Sequence, residues 1–122
     1  MAILSFTTET TISAAATYVS GGQVPIQSGD GSAGHVPVPF AGKARNLRVW
    51  VNPTVAAGNQ VAVRVQNEAT DTALVVTLTE GESRVANVNT EVAFAAGALL
   101  RLSVVKTGTQ TIRIGAACEY VP

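Results

Sequence analysis

The sequence predicts an all-β fold, an antiparallel β-sandwich that is jelly-roll-like and has about eight short strands. Several segments alternate apolar and polar residues with a period of two, which is typical of strands that bury one face. Glycine and proline recur between these segments, at positions suited to turns. Apolar residues at the helical spacing of three and four are nowhere sustained. The 122 residues suit one domain with its own core.

The alternation is clearest in five segments, each with one set of side chains that is expected to face the core. These sets are Leu47, Val49 and Val51; Val61, Val63 and Val65; Leu74, Val76 and Leu78; Leu100, Leu102 and Val104; and Ile112, Ile114, Ala116, Cys118 and Tyr120. The opposite face would carry Arg48, Trp50, Arg64, Arg101, Ser103, Arg113 and Glu119. Weaker strand candidates are "TISAAATYVS", "HVPVPF", "SRVANV" and "TEVAFA".

Two segments depart from this pattern. Residues 1–12 start apolar and become threonine-rich, and we interpret them as an N-terminal arm that precedes a single jelly-roll domain at 13–122. Residues 20–34 are rich in glycine and are expected to form a long loop, because such a stretch gains little from local contacts. Contacts between subunits and simple chain-end or loop mobility both remain open for these segments.

The stretch "RVQNEATDTALVVTL" (Arg64 to Leu78) places Asn67, Glu68, Thr70, Asp71 and Thr72 between two alternating runs. These groups could form a metal or sugar site. They could equally form the tip of a hairpin, where Asn and Asp bond their own backbone. We interpret the stretch as a turn of several residues.

Charge and cysteine content exclude several classes of protein. The formal charge is zero, which argues against a nucleic-acid partner. No apolar run is long enough for a membrane span, and the N-terminus lacks the basic region of a signal peptide. A single cysteine excludes an internal disulfide, so we expect folding in a cytoplasm. Charged residues make up 13% of the chain, about half the usual roughly 25%. Either the surface is threonine-rich, or part of it is buried against other subunits.

The search for catalytic or metal-binding residues gives weak candidates. His35 is the only histidine, and no nucleophile motif accompanies it and nearby Ser28, Ser32 or Asp30. Cys118 alternates in phase with core residues and is expected to be buried and unreactive. One Cys and one His cannot supply a zinc site, and no calcium-loop spacing occurs. We therefore expect no enzyme, no metal and no cofactor.

Trp50 is the only tryptophan and is expected to face away from the core together with Arg48. It could be covered by a loop or the arm, anchor an interface, or stack on a sugar ring. Tryptophan and arginine are enriched at interface hot spots, and one aromatic residue makes a poor carbohydrate groove. An interface or arm-covering role is therefore favoured.

The segments "ARNLRVWVNPTVAAGNQVAVRVQNEATDTALVVTLTEGES" and "TEVAFAAGALLRLSVV" resemble bacteriophage virion proteins with a small jelly-roll fold. Their features are an "NL-x-V-x-V" strand, a glycine-containing turn, an "N-x-x-x-D-T-A-L" hairpin and an "A-A-G-A-L-L-x-L" strand. They look like trimeric capsid decoration (cement) proteins and like fibre or spike modules. In those families Gly often follows the hairpin Asn, where this chain has Glu68.

The resemblance implies a viral structural protein: a homotrimer that binds the major capsid protein on the virion surface and stabilises the shell. Such a protein would assemble in the host cytoplasm. The candidate partner-binding residues lie in the arm, in the glycine-rich loop and on the outward strand face: Ile3, Leu4, Phe6, Val24, Ile26, His35, Arg48 and Trp50. The alternative is a fibre or spike module that recognises host glycans through Trp50 and the polar hairpin. A small esterase that uses His35 is a third hypothesis.

Overall fold

The computed structural model describes residues 2–7, 16–19, 25–27, 36–68 and 70–122. Within these ranges the chain forms strands and turns. The strands are β1 (Ala2–Thr7), β2 (Ala16–Val19), β3 (Pro25–Gln27), β4 (Val36–Pro37), β5 (Gly42–Asn52), β6 (Gln60–Asn67), β7 (Thr70–Leu78), β8 (Arg84–Phe94), β9 (Leu99–Thr107) and β10 (Arg113–Val121). In the part of the chain described, no helix could cross a membrane.

The strands form two antiparallel sheets. The first sheet has the order β1-β10-β5-β8, and the second has the order β3-β2-β9-β6-β7, with β4 also paired to β9. Apart from the short β3 and β4, each sheet has four strands, and the first strand of the chain pairs with the last. This is the double-sheet jelly-roll arrangement. The structure confirms the predicted antiparallel β-sandwich, with eight main strands and two short ones between β2 and β5.

The core lies between the two sheets, where the predicted inward-facing set is confirmed for all five segments. Every side chain that was expected to face inward is buried, from Leu47 on β5 to Tyr120 on β10. The Tyr120 ring packs against Phe40 and Phe94, at centroid distances of 5.2 and 6.2 Å, and its hydroxyl donates to the Phe40 carbonyl at 2.6 Å. Burial raises the pKa of Tyr120. This phenol therefore stays a neutral donor at physiological pH.

The outward face of β9 corrects the sequence interpretation. Arg101 and Ser103 were expected on a solvent face, but both are buried, and Arg101 is only 2% exposed. Arg101 Nε donates to Gln66 Oε1 at 2.7 Å, and Gln66 Nε2 donates to Asp71 Oδ1 at 2.7 Å. The strand lies in the middle of the second sheet, between β6 and the β2–β4 side. The hydrogen bond to Gln66 satisfies one donor of this buried cation.

The two weak candidates "SRVANV" and "TEVAFA" belong to one strand, β8. A register shift opposite Asn46 lets the strand continue through its polar middle. There, Asn87 Oδ1 accepts from the backbone amides of Asn89 and Thr90 at 3.1 and 3.2 Å. Asn87 Nδ2 donates to the Val75 carbonyl of β7 at 3.1 Å, so the edge strands of the two sheets are linked at this flank.

The hairpin between β6 and β7 is tighter than the sequence suggested. Asn67 pairs with Thr70, so the connection has two residues rather than several. Glu68 takes a positive φ of 57°, the conformation that glycine or Asn usually supplies in a two-residue turn. Thr72 lies within β7 at a register shift, and its hydroxyl donates to the Val65 carbonyl at 2.6 Å. These contacts support a turn, as interpreted, in which Thr72 bonds the backbone and Asp71 bonds the Gln66 side chain.

The predicted arm and loop are only partly described. Residues 2–7 of the arm at 1–12 form the edge strand β1, paired with β10. Within the loop at 20–34, Pro25–Gln27 forms β3 and pairs with β2. The other residues of both segments lie outside the described residues, and the division into an arm at 1–12 and a domain at 13–122 stays a prediction.

Candidate functional site

The outward side of the first sheet presents a continuous set of exposed or half-exposed residues around the only tryptophan. We call this surface the Trp50 face: Ser5 of β1; Arg48 and Trp50 of β5; Arg84 and Ala86 of β8; and Arg113, Gly115 and Ala117 of β10. The prediction that Arg48 and Trp50 face away from the core is confirmed.

The indole of Trp50 lies against the sheet. Gly115 is directly opposite Trp50 on β10, and a Cβ built on Gly115 would be 3.6 Å from Trp50 Cε3. The ring therefore lies within ordinary van der Waals distance of this position. Even so, Trp50 remains 42% exposed. A large aromatic surface is thus held in place and is still available for contact.

A shallow apolar depression of about 520 Å³ adjoins the ring. Small side chains line part of it: Ser5 and Ala117 are paired across β1 and β10, and Ala86 lies on β8. Arg48 lies between Ala117 and Ala86 in the same cross-strand row, and Arg84 pairs with Trp50 in the next row. The depression therefore combines small side chains with two arginines.

Charge is segregated on the Trp50 face. It carries Arg48, Arg84 and Arg113 and no carboxylate. None of the three forms an ion pair with the residues that the structure describes. The next acidic group along the outward side of β10 is Glu119. The Trp50 face is therefore cationic in a chain whose formal charge is zero.

A cluster of polar and charged side chains borders the Trp50 face. Glu119 accepts from Asn46 Nδ2 at 2.7 Å and from Arg45 Nε at 3.2 Å, and Arg45 Nη1 is 3.4 Å from Glu91. The hydrogen bond from Asn46 and the contact with Arg45 lower the pKa of Glu119 against the opposing effect of burial. In turn, Glu119 and Glu91 raise the pKa of Arg45. The cluster pairs its charges internally, which the arginines of the Trp50 face do not.

The other candidate residues lie in different places. Ile3 is 59% exposed on the outward side of β1, whereas Leu4 packs against the core. Phe6 and Ile26 lie in β1 and β3 by their backbone. Val24 and His35 lie outside the described residues. Of the candidates, the structure brings Arg48 and Trp50 together. Ile3 lies two residues beyond Ser5 along β1.

The remaining candidates are the thiol of Cys118 and a group of side chains that could bind a metal. Cys118 is buried as expected, and burial raises its pKa to about 11, so the thiol is unreactive at neutral pH. Among the residues described, no group of three or more His, Cys, Asp or Glu side chains could hold a metal ion.

The sequence interpretation missed Arg84, Arg113 and Gly115 as parts of the face. Each has an outward position on its own strand, but only the pairing of β5 with β8 and β10 brings them beside Trp50. The available signal was Gly115, a glycine inside an otherwise alternating strand, which often marks a close approach.

Comparison with known proteins supports the fold. No protein-family model matches the chain, and no curated protein matches it. Among solved structures, it is similar to part of the crystal structure of a GH26-CBM35 β-(1,4)-mannanase from Podospora anserina, with a TM-score of 0.52 and 14% sequence identity. The match covers 98% of this chain and 28% of that chain. At this identity the likeness shows the fold alone, that of a β-sandwich module.

Proposed function

We propose that the protein is a non-catalytic viral structural protein, a homotrimeric capsid decoration (cement) protein of the bacteriophage type. In this role it binds the shell of the major capsid protein on the virion surface and stabilises it, after assembly in the host cytoplasm. Decoration needs a stable core and a binding surface, and it needs no reaction, cofactor or metal.

The observation that carries the proposal is the Trp50 face. It combines a half-exposed tryptophan, an adjoining apolar depression and arginines without internal ion pairs. Tryptophan and arginine are the residues most enriched at the centres of protein interfaces. The low charged fraction of 13% also favours a surface that is covered in an assembly.

The proposed trimer is based on the resemblance to trimeric decoration proteins. Three copies linked in one particle multiply weak contacts, because each further contact forms at a high effective concentration. A shallow depression can therefore give firm attachment to a shell without a deep pocket.

The oligomeric state tests the first part of the proposal. Light scattering after size exclusion should give three times the mass of the 12.5-kDa chain. A mass equal to one chain at every concentration would contradict trimerisation.

Co-sedimentation tests the second part. Empty shells assembled from the major capsid protein encoded in the same genome should carry the wild-type protein into the pellet. Trp50→Ala should reduce that binding at least about thirtyfold, since truncating a hot-spot residue costs about 2 kcal/mol or more. The matched control is Val105→Ala, because Val105 is 49% exposed on the outward side of the second sheet. Equal saturation by Trp50→Ala and Val105→Ala would remove the Trp50 face from the proposal.

A second candidate function is a fibre or spike module that recognises host glycans. The exposed ring of Trp50 beside a depression favours it, because aromatic faces can stack on sugar rings. The likeness to part of a β-(1,4)-mannanase structure makes mannan a natural member of the glycans to test. Trp50-dependent binding on a glycan array, together with no affinity for shells, would favour this candidate.

A further inference from the structure

We infer that the Trp50 face binds an acidic segment of a partner protein, whose carboxylates pair with Arg48, Arg84 and Arg113 around an apolar side chain seated beside Trp50. The inference rests on the proposed function and gives it a chemistry: the recognised part of the shell protein is negatively charged.

The arrangement of the arginines follows from the register of the first sheet. Arg84 is paired with Trp50 across β8, and Arg48 is two residues away on the same strand and the same side. Arg113 of β10 pairs with Asn52 of β5 and is thus diagonal to Trp50. Direct cross-strand neighbours have Cβ atoms about 5 Å apart, and diagonal neighbours are about 7–8 Å apart. The three arginines therefore originate at strand positions adjacent or diagonal to Trp50, within reach of one bound segment.

The three arginines are suited to bind carboxylates of a partner. Each planar guanidinium can donate two parallel hydrogen bonds to a carboxylate. In the described part of the chain none of the three is already committed to an ion pair, so binding need not break an internal one. By contrast, Arg45 and Arg64 lie near carboxylates of their own chain. The positive charge of the Trp50 face is thus left for a ligand.

The depression favours a polypeptide over a polysaccharide. Its small residues Ser5, Ala86 and Ala117 offer one hydroxyl, and its two arginines, Arg48 and Arg84, donate hydrogen bonds but cannot accept them. A sugar presents hydroxyl donors over most of its surface and would leave many of them without an acceptor there. An apolar side chain flanked by Asp or Glu fits both the small residues and the arginines.

Fluorescence gives a direct test, since Trp50 is the only tryptophan and reports binding at its own face. The probes are poly-L-glutamate, poly-L-lysine and oligogalacturonate. Poly-L-glutamate should change the emission, and the effect should weaken as salt rises from about 50 mM to about 500 mM, because exposed charges are screened. A response to oligogalacturonate and none to poly-L-glutamate would overturn the inference in favour of an anionic glycan.

Single substitutions distinguish binding at the Trp50 face from general attraction by the charge of the protein. Arg84→Gln and Arg113→Gln should each weaken poly-L-glutamate binding about two- to fivefold, the range for exposed charge pairs. Lys43→Gln is the matched control: it removes one charge from an exposed position on β5, outside the Trp50 face. Equal effects of Arg84→Gln and Lys43→Gln would show non-specific attraction and overturn the inference.

Shell binding separates this inference from the proposed function. Sedimentation with shells that is lost at high salt and weakened by Arg84→Gln supports both. Wild-type sedimentation that is insensitive to salt and to Arg84→Gln overturns the inference and leaves decoration standing. A specific poly-L-glutamate response without any sedimentation would overturn decoration and support an acidic partner of another kind.

Discussion

Two glycines on neighbouring strands of the first sheet should respond oppositely to the same substitution. A Cβ added at Gly42 of β5 would overlap the Val121 carbonyl oxygen and lie 3.0 Å from Tyr120 Cε2. A Cβ added at Gly115 of β10 would meet Trp50 Cε3 at 3.6 Å, an ordinary contact. Gly42→Ala should therefore destabilise the fold, and Gly115→Ala should not.

The magnitudes follow from two opposing effects. Replacing Gly by Ala stabilises by about 0.4–1 kcal/mol through the unfolded chain where the backbone permits it. Overpacking against atoms that cannot move aside costs about 1–3 kcal/mol. The Val121 oxygen belongs to the backbone of a paired strand, so Gly42→Ala should lose about 1–2 kcal/mol net. Gly115→Ala should be neutral or up to about 1 kcal/mol more stable.

Urea unfolding followed by far-ultraviolet circular dichroism measures both variants. With a slope of roughly 1.5 kcal/mol per molar urea, the midpoint of Gly42→Ala should fall by about 1 M. All samples need equal chain concentration, because assembly would shift the midpoint. If Gly42→Ala unfolds at the same urea concentration as Gly115→Ala or above it, the reasoning about the Gly42–Val121 contact is refuted.

Three further predictions concern β10. Tyr120→Phe should lose about 1 kcal/mol in urea unfolding, because the Phe40 carbonyl loses its hydroxyl donor; an unchanged midpoint would contradict this. Iodoacetamide at neutral pH should modify Cys118 only in unfolded protein, since the thiol is buried and its pKa is raised to about 11; rapid labelling of folded protein, seen by mass spectrometry, would argue against it. The pKa of Glu119 is lowered from 4.5, mainly by the hydrogen bond from Asn46, so its stabilisation is present above about pH 4.5 and is lost as the pH falls through the lower folded value. Wild-type stability should therefore drop more steeply in acid than that of Glu119→Gln, and parallel pH profiles would count against this pairing.

The period-two alternation predicted which side of each main strand is buried. Leu47, Val49 and Val51 face the core, while Arg48 and Trp50 face outward, because one buried face fixes the register of a strand. The same rule failed at Arg101, whose outward side chain is buried and donates a hydrogen bond to Gln66. Alternation predicts which side of a strand faces the core, but it does not predict what packs against the other side.

The interruptions were harder to interpret than the strands. The polar middle of β8 suggested a break, yet the side chain of Asn87 satisfies two backbone amides and the strand continues. Thr72 similarly satisfies a backbone carbonyl at a register shift in β7. Such local hydrogen bonds depend on the partner strand, so the sequence shows the polar residues but not their role.

The candidate site was half predicted for a related reason. Arg48 and Trp50 are close in sequence and could be placed on one face by alternation alone. Arg84 and Arg113 join them only through long-range pairing with β8 and β10, which a single sequence does not reveal. The cationic character of the face is thus a property of the topology.

The link between Asn87 and Val75 has a consequence for self-association through strand addition. Exposed sheet edges can recruit strands from other chains, which is a route to aggregation or to deliberate strand exchange. Because β7 and β8 meet at one flank, a side-chain hydrogen bond occupies an edge carbonyl there and the two edges shield each other. In the described ranges the remaining sheet edges are β1, β3 and the short β4, all from the N-terminal part of the chain. Any growth by added strands should therefore begin at the opposite flank, where the first residues of the chain lie.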